Sequence, residues 1–517
     1  MKFIQILEEP IAPGGLVEWT PFTPGGLGTW DADPRLTSHN HEQHLRAAFD
    51  YRIRTRREGG RESWLGVKIE FDEPLSIPAV RATLRRWVDR HEVLRSHVVI
   101  KHKGLARLTT PPGSVKLKMG RIGWYNEAGP LVEQLAGAFD RATAPLHWPA
   151  YMFATVGRED SFTLLFAADH SLVDGYSLIM AQHELTALYR SERAARSSSR
   201  AVEQRDDVEL PPVGSYVDFS AGERQLADQA DAAHPAVAAW TEFFAAGAGD
   251  MPALLTPPAD IADDAAAPEH PAPQHSLSGT IADDEQANRF TAVCSQAGGS
   301  LTAGILAAFA TVHHQMTGDP EFRCVLPRHT RNDPRWLTSL GWFVAVAPFW
   351  LDMADSPTFD QAVARSTTEL KRSRQGASLP FLRVGELIGH HGEPRFVISF
   401  IDTRYAPDAA SADAGRATVL RSHSYSPVEV LIWINRTPSG LRFSARYPAS
   451  MGPDTEPTLG PAAEALPTTD TAANESVELT ERHVTTLTEE GPVPDLLRGF
   501  ADLIREIGEH STFNPRL

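Results

Sequence analysis

The chain has 517 residues, 42% of them hydrophobic and 22% charged, which is ordinary for a globular protein and too long for one compact core; two lobes or three domains are expected. Its 49 basic against 66 acidic side chains give a formal charge of −17, which argues against a chain built to hold a nucleic-acid backbone or drawn unaided to anionic lipid. The two cysteines, Cys294 and Cys324, exclude a disulfide framework and a Cys-rich zinc module and fit a reducing compartment.

In chain order, Met1–Pro10 places Glu8, Glu9 and Pro10 where a signal peptide needs an apolar core, so no export signal is expected. No apolar run reaches the ~18 residues of a spanning helix, so the expected location is cytoplasmic. Residues 10–34 are rich in Pro and Gly and read as an irregular lead-in. His39, His41 and His44 have the look of metal ligands, but no second cluster supplies further ligands. Solvated histidines at a helix start are expected there, and no metal. Ser76 is placed to cap a helix whose stripe is Val80, Leu84, Trp87, Val88 and Leu94. Phe162–Ala168 is short, apolar and β-rich, so it reads as a strand buried on both faces. A helix over Tyr176–Arg190 follows it.

Residues 194–212 read as a polar linker, Tyr216–Phe244 as helical, and 252–275 as a long Pro/Ala/Asp loop. Thr302–Met316 is a helix that stops at Gly318, and it contains His313 and His314. His390 and His391 fall in a turn between Gly389 and Gly392; both histidine pairs read as structural. Strands are expected over Phe396–Ile401, Val428–Asn435 and Leu441–Tyr447, the last two joined by a Thr-Pro-Ser-Gly turn. Residues 452–475 read as a mobile insertion, and Val493–Ile507 as a closing amphipathic helix. The expected organisation is α/β (α+β): an N-terminal lobe over 1–193, a connector over 194–275 and a C-terminal lobe over 276–517.

Chemistry concentrates at Ala168-Asp-His-Ser-Leu-Val-Asp-Gly-Tyr176. A strand running straight into His170, with a helix starting after Gly175, can hold an imidazole rigidly at a cleft. A neutral imidazole there can take a proton from a hydroxyl or an amine. Asp174 lies in a turn, so it need not touch His170; it can fix the loop by pairing with a basic residue, and Gly175 would permit the tight turn. The string alone is weak, since with 20 histidines a chance His-x-x-x-Asp-Gly arises in roughly one chain in ten. There is no Gly-x-Ser-x-Gly elbow, Walker A loop or Gly-x-Gly-x-x-Gly, so serine-hydrolase, nucleotide-triphosphatase and Rossmann readings lose their main supports.

Five segments in order raise the specificity: Trp87-Val-Asp-Arg-His-Glu-Val-Leu-Arg95, Asp169-His-Ser-Leu-Val-Asp-Gly175, Pro327-Arg-His-Thr-Arg331 with Ser339-Leu-Gly-Trp-Phe343, Phe396–Asp402, and Tyr425–Asn435. With these the chain resembles the condensation-domain/chloramphenicol-acetyltransferase superfamily, and within it the polyketide-associated protein (Pap) acyltransferases, over roughly Trp19 to Phe500. The resemblance implies two chloramphenicol-acetyltransferase-like lobes in a V arrangement around a central tunnel. It implies His170 as general base, Asp174 as an orienting residue paired with an arginine of the second lobe, and Gly175, Gly341 and Trp342 as supporting positions. Arg331, ten residues before Gly341, is the candidate partner and Arg328 the reserve. Ser171 could assist, as could backbone N–H groups at Gly175 or the next helix start. Asp169 in place of a leading histidine, Ala345 in place of asparagine and Trp350 in place of arginine move the likeness away from peptide-synthetase condensation domains.

The implied activity is transfer of a long-chain acyl group from acyl-CoA or an acyl carrier protein to a hydroxyl of a trehalose-type glycolipid precursor, with no cofactor beyond the substrate's CoA or phosphopantetheine. Implied partners are a carrier protein or polyketide synthase and a sugar acceptor, with peripheral association to a membrane lipid exporter at the inner membrane face and no nucleic acid. A free-standing peptide-synthetase condensation enzyme, a Pap-type esterification of a polyketide hydroxyl, and a binding protein that keeps the fold without catalysis stay open.

Overall fold

The computed structural model describes residues 2–55, 64–102, 104–197, 209–247, 249–254, 273–355, 357–390, 392–451 and 490–509. The insertion expected at 452–475, His391 and most of the two connector loops lie outside the described residues. The first half supplies strands β1 (Lys2–Gln5), β2 (Gly15–Phe22), β3 (Asp31–Asp33), β4 (Trp64–Phe71), β5 (Ser96–Lys101), β6 (Gly104–Thr109), β7 (Lys116–Trp124), β8 (Tyr151–Gly157) and β9 (Phe162–Asp169). The second supplies β10 (His275–Asp283), β11 (Glu321–His329), β12 (Val344–Asp352), β13 (Phe396–Asp402), β14 (Ala417–Arg421), β15 (Val430–Thr437) and β16 (Gly440–Tyr447).

These strands form a seven-stranded sheet in the order β1-β14-β4-β9-β8-β2-β7, a six-stranded sheet in the order β10-β16-β15-β13-β11-β12, and a small sheet β3-β6-β5. The mixed α/β character agrees with the sequence reading. β14 comes from the second half of the chain yet pairs with β4 (antiparallel) and β1 (parallel) in the first sheet, so the two halves share a sheet. β9 is the middle strand, and all eight of its residues are buried. Its alternate side chains explain why: Phe162, Leu164 and Phe166 pack with Trp87 and Leu185, while Leu165 and Ala167 pack with Leu135 and Phe139 on the other face. The six-stranded sheet is covered by the helices Asp284–Gln296, Leu301–Thr317 and Pro492–Glu509, with Phe309 stacked on Phe500 at 3.9 Å.

Three local expectations need correction. Residues 10–34 are not an irregular lead-in, because β2 runs inside the first sheet between β8 and β7. Its Pro21 sits next to the last residue of the strand, and Gly15 is its first, so neither residue interrupts the ladder to β8. Ser76 precedes the helix Ile77–Arg90, but its hydroxyl accepts no capping bond, and Pro78 in the first turn removes one of the N–H groups that would need one. The helix after His170 is longer than Tyr176–Arg190 and runs Gly175–Ser197. Gly318 does end the helix Leu301–Thr317, with the left-handed φ of 72° that favours glycine. Among the described residues no single helix is long and apolar enough to cross a membrane.

Candidate active site

A cavity of about 2680 Å³ lies between the two large sheets. Phe3, Leu65 and Val419 line it from the first sheet, Val397, Leu431 and Trp433 from the second, and His170, Gly175 and Trp342 from the loops. This volume is several times that of a pocket for a drug-sized ligand, about 300–1,000 Å³.

His170 is the first residue beyond the central strand β9, so its backbone is held where the sheet ends at the cavity. The turn that carries it is closed by Leu172 N–H donating to Asp169 O at 2.9 Å. The imidazole packs against the Trp342 ring with centroids 4.8 Å apart. Its Nδ1 is buried with no well-oriented partner, and the group beside it that favours a proton by hydrogen bonding is its own backbone carbonyl. Burial pushes the imidazole below its ordinary pKa, and the His44 ring adds to that, against the attraction of Asp169 and Asp174. That direction favours the unprotonated ring at neutral pH.

Asp174 lines the same cavity but its carboxylate is engaged by protein groups other than His170. Its carboxylate accepts from Ser177 N–H at 2.7 Å, capping the helix Gly175–Ser197, and from Phe343 N–H at 3.0 Å. Arg331 Nη2 donates to both carboxylate oxygens at 3.0 and 3.1 Å and to Ser177 Oγ at 2.9 Å. Arg331 Nη1 donates to the carbonyls of Trp336 and Ser339, each at 2.6 Å. The guanidinium also lies 4.1 Å from the centroid of the Phe343 ring. Both side chains are almost fully buried, at 2% and 3% exposure. Arg331, rather than Arg328, is thus the residue brought to Asp174.

Gly341 and Gly175 occupy tight places for different reasons. A Cβ at Gly341 would lie 2.3 Å from the Tyr216 ring, so only glycine lets this loop pass. Ser177 Oγ donates to Gly341 O at 2.9 Å, tying the helix after His170 to the same loop. Gly175 does not use the left-handed backbone that a tight turn would have required. It keeps space, since a Cβ there would stand 3.3 Å from Phe3 and 3.5 Å from Ile401 on the cavity wall.

The histidine cluster at the start of the first helix is not a solvated patch. His39 and His41 are buried; His39 Nε2 meets Asp228 at 2.9 Å, and His41 Nδ1 meets Thr37 at 2.9 Å, with burial pushing the His41 imidazole down to about 3. His44 lines the cavity and its Nε2 meets both oxygens of Asp169 at 3.0 Å. Burial alone would raise the Asp169 carboxyl, but His44 and two donors from Ser171 more than offset it and hold it down at about 2. Ser171 is thus turned into the loop. No three metal-binding side chains gather among the described residues. Both cysteines are buried thiols; burial pushes Cys294 up to about 12.

The sequence reading missed His44 as a partner of Asp169, and it missed Ser177 and Tyr216. For Ser177 a signal existed, since it follows Asp174 by the three residues of an N-cap pair.

Residues 58–402 match the family model described as the condensation domain. The chain is 28% identical over 464 residues to acyltransferase PapA3 of Mycobacterium tuberculosis, covering 85% of this chain and 92% of that one. It is 26% identical over 448 residues to the trehalose-2-sulfate acyltransferase PapA2 of the same species, covering 81% and 89%. Among solved structures, a PapA2 acyl transferase superposes with a TM-score of 0.79 at 20% identity, over 99% of this chain and 100% of that one. The X-domain from teicoplanin biosynthesis gives 0.65 at 18% identity, over 95% and 98%.

Proposed function

The chain belongs to the condensation-domain family and is an acyltransferase, and we propose that it moves a long-chain acyl group from a CoA or carrier-protein thioester to a sugar hydroxyl, with His170 as general base. The observation that carries this reading is His170 itself. It is a half-buried imidazole whose pKa is lowered, tilted against the Trp342 ring and lining a cavity with room for two substrates. With Nδ1 turned inward, Nε2 is the nitrogen available to a substrate.

The steps balance without a further group. Nε2 takes the proton of the acceptor hydroxyl as its oxygen attacks the thioester carbonyl. The tetrahedral intermediate then collapses, the C–S bond breaks, and His170 returns the proton to the thiolate. No acyl-enzyme is required, because orientation of both substrates in one cavity supplies much of the rate. Backbone N–H groups of Gly175 and Tyr176, in the first turn of the helix on the cavity wall, are the donors we assign to the developing oxyanion, whereas the Ser177 N–H is already committed to Asp174. Asp174 and Arg331 hold the loop and take no part in the proton transfer. The names of the relatives favour a trehalose-type acceptor, and the cavity between two apolar-lined sheets favours a long acyl chain.

The test is release of free thiol from a long-chain acyl-CoA in the presence of trehalose or trehalose 2-sulfate, with the ester identified by mass. His170→Ala is expected to lower kcat by about 10²–10⁴-fold while the melting temperature holds. Full activity in that variant would remove the general-base role, and an amide product with an amine acceptor would move the chain to peptide condensation.

A further inference from the structure

The cavity is lined by eight cationic side chains against four carboxylates, although the whole chain carries a formal charge of −17. Three of those carboxylates are already matched by an arginine: Asp174 by Arg331, Glu429 by Arg446 at 2.6 Å, and Asp402 by Arg404 at 2.7 Å. Glu393, the fourth, is also engaged. The cationic excess is therefore not consumed by the cavity's own acids.

Four of the cations make no ion pair or side-chain hydrogen bond among the described residues: the exposed Arg54, and three that stand out because they share the second half's wall, Arg328 on β11 and Lys371 and Arg374 on the helix Phe359–Gly376. Lys371 and Arg374 are three residues apart and line the cavity together with Thr367 and Leu370, so one helix face presents both charges. Burial and then the nearby Arg374 guanidinium lower the Arg328 pKa, which puts the strand cation and Arg374 in one field, with Lys371 on the same cavity-lining helix face as Arg374. The helix acid Glu369 faces Arg372 and Glu242 instead. A cation near a helix C-terminus is stabilising by itself, which would account for Arg374 alone. It does not account for Arg328, which stands on a strand and is half-buried beside a like charge.

We propose that Arg328, Lys371 and Arg374 form a subsite for a tetrahedral oxyanion, the phosphate or sulfate ester of a substrate that enters this cavity. Two guanidinium forks and one ammonium suit such a group, the forks by paired N–H donors and the lysine as a point charge. The subsite rests on the acyl-transfer reading for the identity of its ligands. A CoA or phosphopantetheine donor carries phosphates, and a sulfated sugar acceptor carries a sulfate.

The experiment is equilibrium titration of the full chain, read by tryptophan fluorescence, with CoA against pantetheine and with trehalose 2-sulfate against trehalose. Wild type is expected to bind the charged member of at least one pair more tightly. Arg328→Gln, Lys371→Gln and Arg374→Gln should each weaken that member about tenfold and leave the neutral one within about twofold. Loss confined to CoA assigns the subsite to the donor's phosphates, and loss confined to the sulfated sugar assigns it to the acceptor. The proposal is overturned if the variants bind both charged probes as wild type does, or if wild type prefers neither over its neutral counterpart. Binding is read without turnover, so a chain that shows the charged preference but releases no thiol keeps the subsite and loses the acyl-transfer reading.

Discussion

Arg328 and Arg331 leave the same stretch of chain three residues apart, and they meet opposite surroundings. Arg331 is buried, makes five hydrogen bonds through its two terminal nitrogens, and faces an aromatic ring. Arg328 is half-buried on the cavity wall and meets another arginine instead of an acid. The first ties the loop bearing His170 to the loop bearing Trp342, so its charge is spent inside the protein. The second has its charge left over. Sequence proximity therefore says little about role here: a guanidinium whose two terminal nitrogens are answered by protein is architecture, and one that no described residue answers is available to a ligand.

The largest expected effect tests the first half of that contrast. Arg331→Ala would leave Asp174 buried without its counter-charge, and removing one partner of such a pair typically costs about 3–5 kcal/mol. Urea unfolding is the measurement, and Asp174→Ala should show a loss of similar size for the mirror-image reason. The contrast breaks if Arg331→Ala unfolds no more readily than Arg328→Ala. A much smaller effect tests the second half. Arg328→Gln removes a half-buried cation that repels Arg374, so its stability should stay within about 0.5 kcal/mol of wild type. A loss of several kcal/mol there would mean that Arg328 has a structural partner after all.

The same contrast shows what the sequence could and could not tell. His170, Asp174 and Gly175 stand in one short string after a strong β signal, so local pattern reached them, whereas Arg331, Gly341 and Trp342 were reached only through the family resemblance. His44 was out of reach because its partner, Asp169, lies 125 residues away. The string of three histidines suggested one cluster. A helix advances 100° per residue, however, so His39 and His41 face opposite sides of it, and each finds a different neighbour, Asp228 for one and Thr37 for the other. Strand β2 was hidden by the Pro and Gly at its ends, and β14 joins the first sheet from across the chain, which no local period announces. The cations of the cavity wall were invisible for a related reason. Lys371 and Arg374 look like the solvated face of an ordinary helix until the fold sets them on the wall of the cavity that Arg328 of β11 also lines.

The smallest effect is also the sharpest discriminator between the two arginines. Burial, then His44, keeps the His170 imidazole below its ordinary value of 6.5, while Asp169 and Asp174 pull it back up. The acid limb of kcat/KM, which reports the free enzyme's essential base, should therefore lie below pH 6.5. Asp174→Asn removes one of the charges that favour the protonated ring, and it leaves the Arg331 cation uncompensated nearby. Both changes lower the His170 pKa, so the base form persists to lower pH and the acid limb moves to lower pH. Arg328→Gln should leave the limb where it is, because the charges acting most on His170 are His44, Asp169 and Asp174. A pH–rate series on the three proteins decides it. If Arg328→Gln moves the limb as far as Asp174→Asn does, the wall cation reaches the catalytic loop, and the separation between an arginine spent on architecture and one held for a ligand collapses.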